Sequence, residues 1–374
     1  MANPFSNILS AFGNKNKSVI GIDIGSSAIK VVQLRKQGAR AILETYGELA
    51  LGPYAKTEIG QATNLPQDKI IEALKDILKE SNTTTKDSAL SIAAGASLLS
   101  FIKMPDVGEK ELQTMIPIEA RKYIPVPISE VSLDWWVIPK EESTVSEFES
   151  PEAPKVQEDK SVEVLLVVIH NETINRMKEI ATGASLDLSF FEIEIFSSMR
   201  SVVEQSLDSV MVFDMGAGST KLYIIERGVL LSAHTINRGS QEITLSLSRS
   251  LGLSMTDAEK YKRLTGISAD VKDKNATDIT TLTLDYIFSE TNRVIFNYQK
   301  KYNKNVSRVI LTGGGSLLKG FLELARERFE TEVVLGDPFS KCVAPAFLEN
   351  TLRGAGPEFA VAIGLALRKL QETN

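Results

Sequence analysis

One pattern occurs twice in this chain. DIGSSAIK, from Asp23 to Lys30, and DMGAGSTK, from Asp214 to Lys221, each set a glycine two residues and a lysine seven residues after an aspartate. Each copy lies between apolar runs, SVIGI and VVQL in the first, SVMVF and LYII in the second, and the copies stand about half the chain apart. Duplication on this scale predicts two lobes descended from one unit, and 374 residues suffice for a core in each. Apolar runs broken by Asp-x-Gly predict strand–turn–strand hairpins. Gly25, Gly216 and Gly218 allow tight turns and close backbone approach, so that successive N–H groups line one concavity and hold an anion, phosphate above all. Asp23 and Asp214, each ending a strand beside such a turn, suit Mg2+ held through its water shell. One copy alone reads equally as an Asx turn; two facing copies would grip a nucleoside triphosphate between lobes.

Two further segments fit the same site. TGGGS, Thr312 to Ser316, follows the strand RVIL and precedes a helix, either as a turn needing positive φ or as a backbone platform against a nucleoside. In AEKYK, Ala258 to Lys262, Glu259 and Lys262 stand three apart on one helical face. Alone they are an ordinary solvated ion pair; beside the other motifs they would hold ribose and adenine.

Composition narrows the function. The formal charge of −6 argues against nucleic acid as a partner. One cysteine, Cys342, forms no internal disulfide and reads as an inert buried thiol; two histidines, His170 and His234, make no zinc cluster and read as structural or surface residues. A reducing, cytoplasmic compartment is expected. The longest apolar run, VLLVVI from Val164 to Ile169, is far short of the roughly 20 residues of a membrane span. Residues 1–17 are expected to form a flexible arm, with Phe5, Ile8, Leu9 and Phe12 at helical spacing, read either as a short membrane-surface or partner-binding arm or as a frayed terminus docked loosely on its own protein.

The pattern predicts a first lobe over 18–208, opening with a three-stranded meander and a helix from Gln67 to Ser81. An inserted α+β subdomain over about 100–188 carries a mobile Glu/Ser/Pro-rich loop at 140–160. LDLSFFEIEIF, from Leu186 to Phe196, reads as a strand leading into a helix near Arg200. A second lobe over 209–355 contains a helical subdomain at 240–305, in which a Thr/Asp-rich spacer precedes a helix from Thr280 to Tyr302. The segment 356–374 is a C-terminal helix returning to the first lobe.

In this order, DIGSS, DMGAGST, AExxK, TGGGS and the late VAIGLALR resemble the actin, hexokinase and Hsp70 superfamily of ATP-binding proteins. Within it, IPIEARKYIPVPISEVSLDWWVI, Ile116 to Ile138, resembles the PilM family of type IV pilus assembly proteins, relatives of the division protein FtsA. The resemblance spans about residues 17–370. It implies an actin-like (ribonuclease H-like) two-lobed α/β ATPase fold with ATP and Mg2+ as ligands. Residue by residue, it implies a first phosphate loop of Asp23, Gly25, Ser26 and Ser27 and a second of Asp214, Gly216, Ala217, Gly218 and Ser219. Glu259 and Lys262 flank the adenosine, Gly313, Gly314 and Ser316 back it, and Gly239 lies on the nucleotide side. The superfamily's acidic residue after the inserted subdomain corresponds to Glu192, the one candidate for a catalytic role.

Three classes of function stay open. The first is an ATP-binding scaffold of a type IV pilus or related type II secretion platform, with slow or absent hydrolysis, peripheral at the inner membrane through its partners. The second is an FtsA-like polymerising protein, although the ending LALRKLQETN is not expected to be the amphipathic membrane helix of FtsA. The third is a small-molecule kinase. For the first class the resemblance implies binding of the cytoplasmic N-terminal peptide of a PilN-like membrane protein in a groove between the first lobe and the inserted module, and it admits pilus assembly ATPases and self-association. Ile116, Ile118, Tyr123, Ile124, Trp135 and Trp136 are the module's candidate contacts. The adjacent tryptophans, in one strand, face opposite sides.

Overall fold

The computed structural model describes residues 17–139, 161–204, 206–267 and 274–372. The acidic loop expected over 140–160 and, but for Lys17, the N-terminal arm lie outside the described residues. Strands β1 (Ser18–Ile24), β2 (Ala28–Gln37) and β3 (Arg40–Ala50) form the expected antiparallel meander, followed by α1 (Gln67–Glu80) and β4 (Asp87–Ile92).

The next segment, Ala94–Arg176, is a compact unit of its own. It contains β5 (Ser97–Pro105), α2 (Glu109–Ala120), β6 (Val131–Ile138) and β7 (Ser161–His170), in an antiparallel sheet ordered β5-β7-β6. One face of that sheet, with Ile102, Met104, Val164 and Leu166, packs on Leu112 and Ile116 of α2. The unit's bounds fall earlier than the expected 100–188. In α3 (Asn171–Gly183), Met177, Ile180 and Ala181 belong to the core under the first sheet, and β8 (Asp187–Ile193) is a strand of that sheet.

The first sheet runs β3-β2-β1-β4-β8, with β4 parallel to both neighbours. Helix α4 (Glu194–Val202) begins where the sequence suggests continued strand. Ile195, Met199 and Val202 are buried at helical spacing there, and that periodicity overrides the β-rich composition of FFEIEIF.

The second lobe repeats the plan. It opens with β9 (Ser209–Met215), β10 (Thr220–Glu226) and β11 (Val229–Ile236) and continues through α5 (Ser240–Leu251), α6 (Met255–Thr265) and α7 (Lys274–Tyr302). After β12 (Val306–Thr312), α8 (Phe321–Arg328) and β13 (Glu332–Leu335), it reaches α9 (Glu349–Ala355) and α10 (Ala360–Glu372). Its sheet order, β11-β10-β9-β12-β13, is the first sheet's order strand for strand. Helix α7 starts before the expected Thr280, because Ala276, Thr280 and Leu284 already lie buried four apart on its core face.

Apolar runs rather than alternation mark β1 because both its faces are covered. Ile20 and Ile22 pack with Leu74 and Ile77 of α1, while Val19 on the opposite face packs with Ile363 and Ala366 of α10. Two glycines let α10 settle this closely: a methyl at Gly21 would overlap the carbonyl oxygen of Ala362, and one at Gly364 would overlap that of Ser197. Gly21→Ala is therefore expected to lower stability by about 3 kcal/mol through backbone overpacking. Chemical denaturation of the two chains measures it; an unchanged midpoint would refute this account of the packing.

Candidate functional site

The two duplicated motifs form the same object. Gly25 N–H donates to Ala28 O at 3.0 Å and Gly216 N–H to Ser219 O at 3.0 Å, so both turns close identically. Antiparallel register then places Asp23 directly opposite Lys30 and Asp214 directly opposite Lys221. Both hairpin ends face one cleft of about 390 Å3, lined also by Gly313 to Gly315, Glu259 and Lys262. Of the first loop, Asp23, Gly25, Ser26 and Ser27 line it; of the second, Asp214 and Gly216 to Ser219 do.

Charge is concentrated at the cleft floor. Burial and the neighbouring Glu194 carboxylate raise Asp23 to about 6, although Ser91 Oγ donates to it at 2.8 Å. Burial also raises Asp214, against the pull of Lys221, whose Nζ lies 3.9 Å away. Lys221 itself bonds Glu194 at 2.9 Å. Lys30 lies 3.3 Å from Glu48 and 4.0 Å from Glu358, and burial together with Glu48 pushes Glu358 up to about 7. Buried carboxylates that repel one another are a donor set suited to a hard divalent cation. Among the described residues no three His, Cys, Asp or Glu side chains form a group that could by itself hold a metal ion.

The nucleoside side is built by α5, α6 and the Gly313 turn. The Glu259–Lys262 pair is 2.6 Å long and both side chains are buried, 6% and 7% exposed, unlike a surface ion pair. Thr244 Oγ1 donates to Glu259 at 2.7 Å and Arg263 Nε at 2.8 Å; these bonds and Lys262 outweigh burial and hold the carboxyl below its usual range. Gly313 has φ 79°, and a methyl there would strike the Asp214 carboxylate, so this turn approaches the second hairpin as only glycine can.

Not every expected residue faces the cleft. Ser316 Oγ donates back to Gly313 O at 2.7 Å, which fastens the turn from behind. Gly239 is likewise a packing glycine: a methyl there would lie 2.5 Å from the carbonyl oxygens of Gly216 and Ala217, while Ser240 and Gln241 N–H donate to those same oxygens. Glu192 lies outside the cleft lining, with its carboxylate taken by Arg200 at 2.8 and 2.9 Å, Arg368 at 2.8 Å and Ser197 at 2.5 Å. Because α4 begins at Glu194, that residue and not Glu192 is the acidic side chain turned into the cleft. Sequence reasoning also left Lys30, Lys221, Glu48, Arg263 and Glu358 unassigned. Only the two lysines carried a signal, their shared place seven residues after each aspartate.

Two repeated sheets and two mirrored Asp-x-Gly hairpins over one cleft define an actin-like fold. A family model described as "Type IV pilus assembly protein PilM" matches residues 21–370, and the chain belongs to that family. The solved PilM–PilN type IV pilus biogenesis complex is similar with a TM-score of 0.77 at 25% identity, over 94% of this chain and 98% of that one. MreB5 of Spiroplasma citri bound to AMPPNP shares the fold, with a TM-score of 0.52 at 10% identity over 95% of this chain and 97% of that one. The cell division protein FtsA of Rhizobium meliloti is 26% identical over 195 residues, 46% of this chain and 43% of that protein. The match thus spans under half of that relative's length. FtsA of Bacillus subtilis is 21% identical over 94% of this chain and 83% of its own length.

The contrast between the two glutamates is measurable. Glu192→Gln is expected to cost on the order of 2 kcal/mol of stability, by leaving two arginines short of their counter-charge, while leaving ligand binding in the cleft unchanged. Denaturant unfolding beside calorimetry separates the two effects; wild-type stability with lost binding would return Glu192 to the site.

Proposed function

We propose that this chain is an ATP- and Mg2+-binding scaffold of a type IV pilus assembly platform, which takes up the cytoplasmic N-terminal peptide of a PilN-like membrane protein. The observation that carries the nucleotide reading is the pair of hairpins, each presenting an aspartate opposite a lysine to one cleft. The backbone N–H groups of Ser26, Ser27 and Ala217 to Ser219 would cradle the phosphates, those of Gly25 and Gly216 being spent on closing the turns. Asp23 and Asp214 would hold the water shell of Mg2+, whose charge offsets both the phosphates and the buried carboxylates. Lys30 and Lys221, paired with Glu48 and Glu194, would serve as phosphate counter-charges, and Glu259, Lys262, Gly313 and Gly314 would receive the nucleoside. Glu194 is engaged by Lys221 at 2.9 Å, which makes it a charge-balancing group more than a base that orients water, and this supports slow hydrolysis.

For the peptide, the unit Ala94–Arg176 divides its apolar side chains cleanly. Ile116 and Ile124 are core, and Trp135 packs against that core, whereas Ile118, Tyr123 and Trp136 are 61%, 44% and 62% exposed. Strands β5 and β6 are the outer strands of its sheet, on either of which an added strand would have to pair. Attachment at the inner membrane follows from such a partner; among the described residues no helix is long and apolar enough to cross a membrane.

Asp23→Ala and Asp214→Ala should each weaken Mg2+-dependent ATP binding about tenfold or more, as expected for a lost charged hydrogen-bond acceptor. Calorimetry with and without Mg2+ tests this, and wild-type affinity in both variants would remove the assignment. Ile118→Ala and Trp136→Ala in the full chain should each weaken binding of the PilN-like peptide by about fivefold or more, the scale of an interface anchor. Equal affinities would place the peptide elsewhere, and no binding to wild type would leave the scaffold role unsupported.

A further inference from the structure

The segment between β3 and α1 crosses from one lobe to the other. Leu51 and Leu65, 2% and 5% exposed, root its two ends in the core of the first lobe. Near those roots it is tied to the first phosphate loop: Leu51 N–H donates to Ser27 O at 2.9 Å, and Thr63 donates to Ser26 O through its N–H at 2.8 Å and its Oγ1 at 3.0 Å. Its middle reaches the second lobe. Ala62 N–H donates to Oε1 of Gln241 on α5, and Gly60, at φ 90°, lies so close to Glu259 that a methyl would meet the carboxyl carbon at 2.6 Å. A methyl on Gly218 would lie 3.5 Å from Ala62 Cβ and 3.6 Å from Ser26 Oγ, so the two phosphate loops and the segment meet at one point.

From this arrangement we infer that residues 57–63 form a clasp across the cleft and that its release from Gln241 and Glu259 sets the rate of nucleotide exchange. The inference rests on the nucleotide reading above. The clasp moves with the first lobe, because its ends are buried there and bonded to Ser26 and Ser27. Among the described residues its hold on the second lobe is slight by comparison: the Ala62–Gln241 hydrogen bond and the close approaches of Gly60 to Glu259 and of Ala62 to Gly218, with Lys56 to Ile59 exposed on the approach. Contacts of this kind open far more readily than the core that anchors them. Because Glu259 also faces the nucleoside side of the cleft, a bound ligand and the clasp bear on the same carboxylate, and parting the lobes requires Gly60 to leave it. Gln241 itself is outside the cleft lining; its side chain serves the clasp, while its backbone N–H serves Ala217 O.

The test uses the full chain, a fluorescently labelled ATP and Mg2+, with release followed after addition of excess unlabelled ATP. Gln241→Ala removes the acceptor and should speed release about three- to tenfold, the range expected for one net hydrogen bond. Gly60→Ala, which drives a methyl against Glu259, should speed it in the same direction. Hydrogen exchange at the Ala62 amide gives a readout independent of ligand: slow in wild type and fast in Gln241→Ala. Equal release rates in wild type and both variants would overturn the clasp while leaving nucleotide binding intact. Rapid exchange at Ala62 in the ATP-loaded wild type would overturn it too. Failure of wild type to bind labelled ATP at all would instead overturn the nucleotide reading, and this inference with it.

Discussion

Everything at the cleft depends on burying an aspartate and a lysine opposite each other at the end of a two-stranded hairpin, and on doing so twice. A buried carboxylate is costly unless it meets a counter-charge, and the antiparallel register supplies one by geometry alone. In both hairpins Gly two residues after Asp makes the turn, and the turn length sets Lys across from Asp. The pairing is incomplete, since Asp23, Glu194, Asp214, Glu48 and Glu358 outnumber Lys30 and Lys221 at the floor. Burial first, and the neighbouring carboxylates second, raise Asp23 and Glu358, a strain that a bound cation would relieve.

The scaffold around this floor is arranged to let backbones approach. Gly21 and Gly364 bring the last helix against β1 and α4, and Gly313 and Gly239 bring two further segments against the second hairpin. Glu192, clamped by Arg200 and Arg368, ties α4 to α10 on the far side of the same sheet. The site's shape therefore relies on residues that never touch its contents. Such residues look functional in a motif but act through packing, as Gly239 and Ser316 do.

Much was legible in the residues because period and spacing survive folding unchanged. The duplicated hairpins, the meander that opens each lobe, the separate module and the face-splitting of Trp135 and Trp136 all follow from local patterns. The errors fall where a local pattern was ambiguous. FFEIEIF has strand composition and helical burial, so α4 begins early, and that shift of a few residues exchanged Glu192 for Glu194 as the acid in the cleft. The stretch before Thr280 is polar enough to read as spacer, yet Ala276 and Thr280 continue the buried stripe of α7.

What the sequence by itself determined is the set of elements with fixed chemistry at fixed spacing: two Asp-x-Gly hairpins, a glycine turn and a Glu–Lys helix pair. Hydrogen bonds and side-chain periodicity within a few residues decide these. Only the tertiary structure decided which charges share the cleft. Glu48 and Glu358 lie outside the motifs and bear no mark in their own neighbourhoods, because burial and proximity belong to the packed lobes and not to any local stretch of chain, while Arg263, directly after Lys262, joins through its bond to Glu259. The sequence likewise put Glu259 and Lys262 beside the nucleoside, but only the fold buried the pair, with Thr244 donating to Glu259 and Gly60 packed against it.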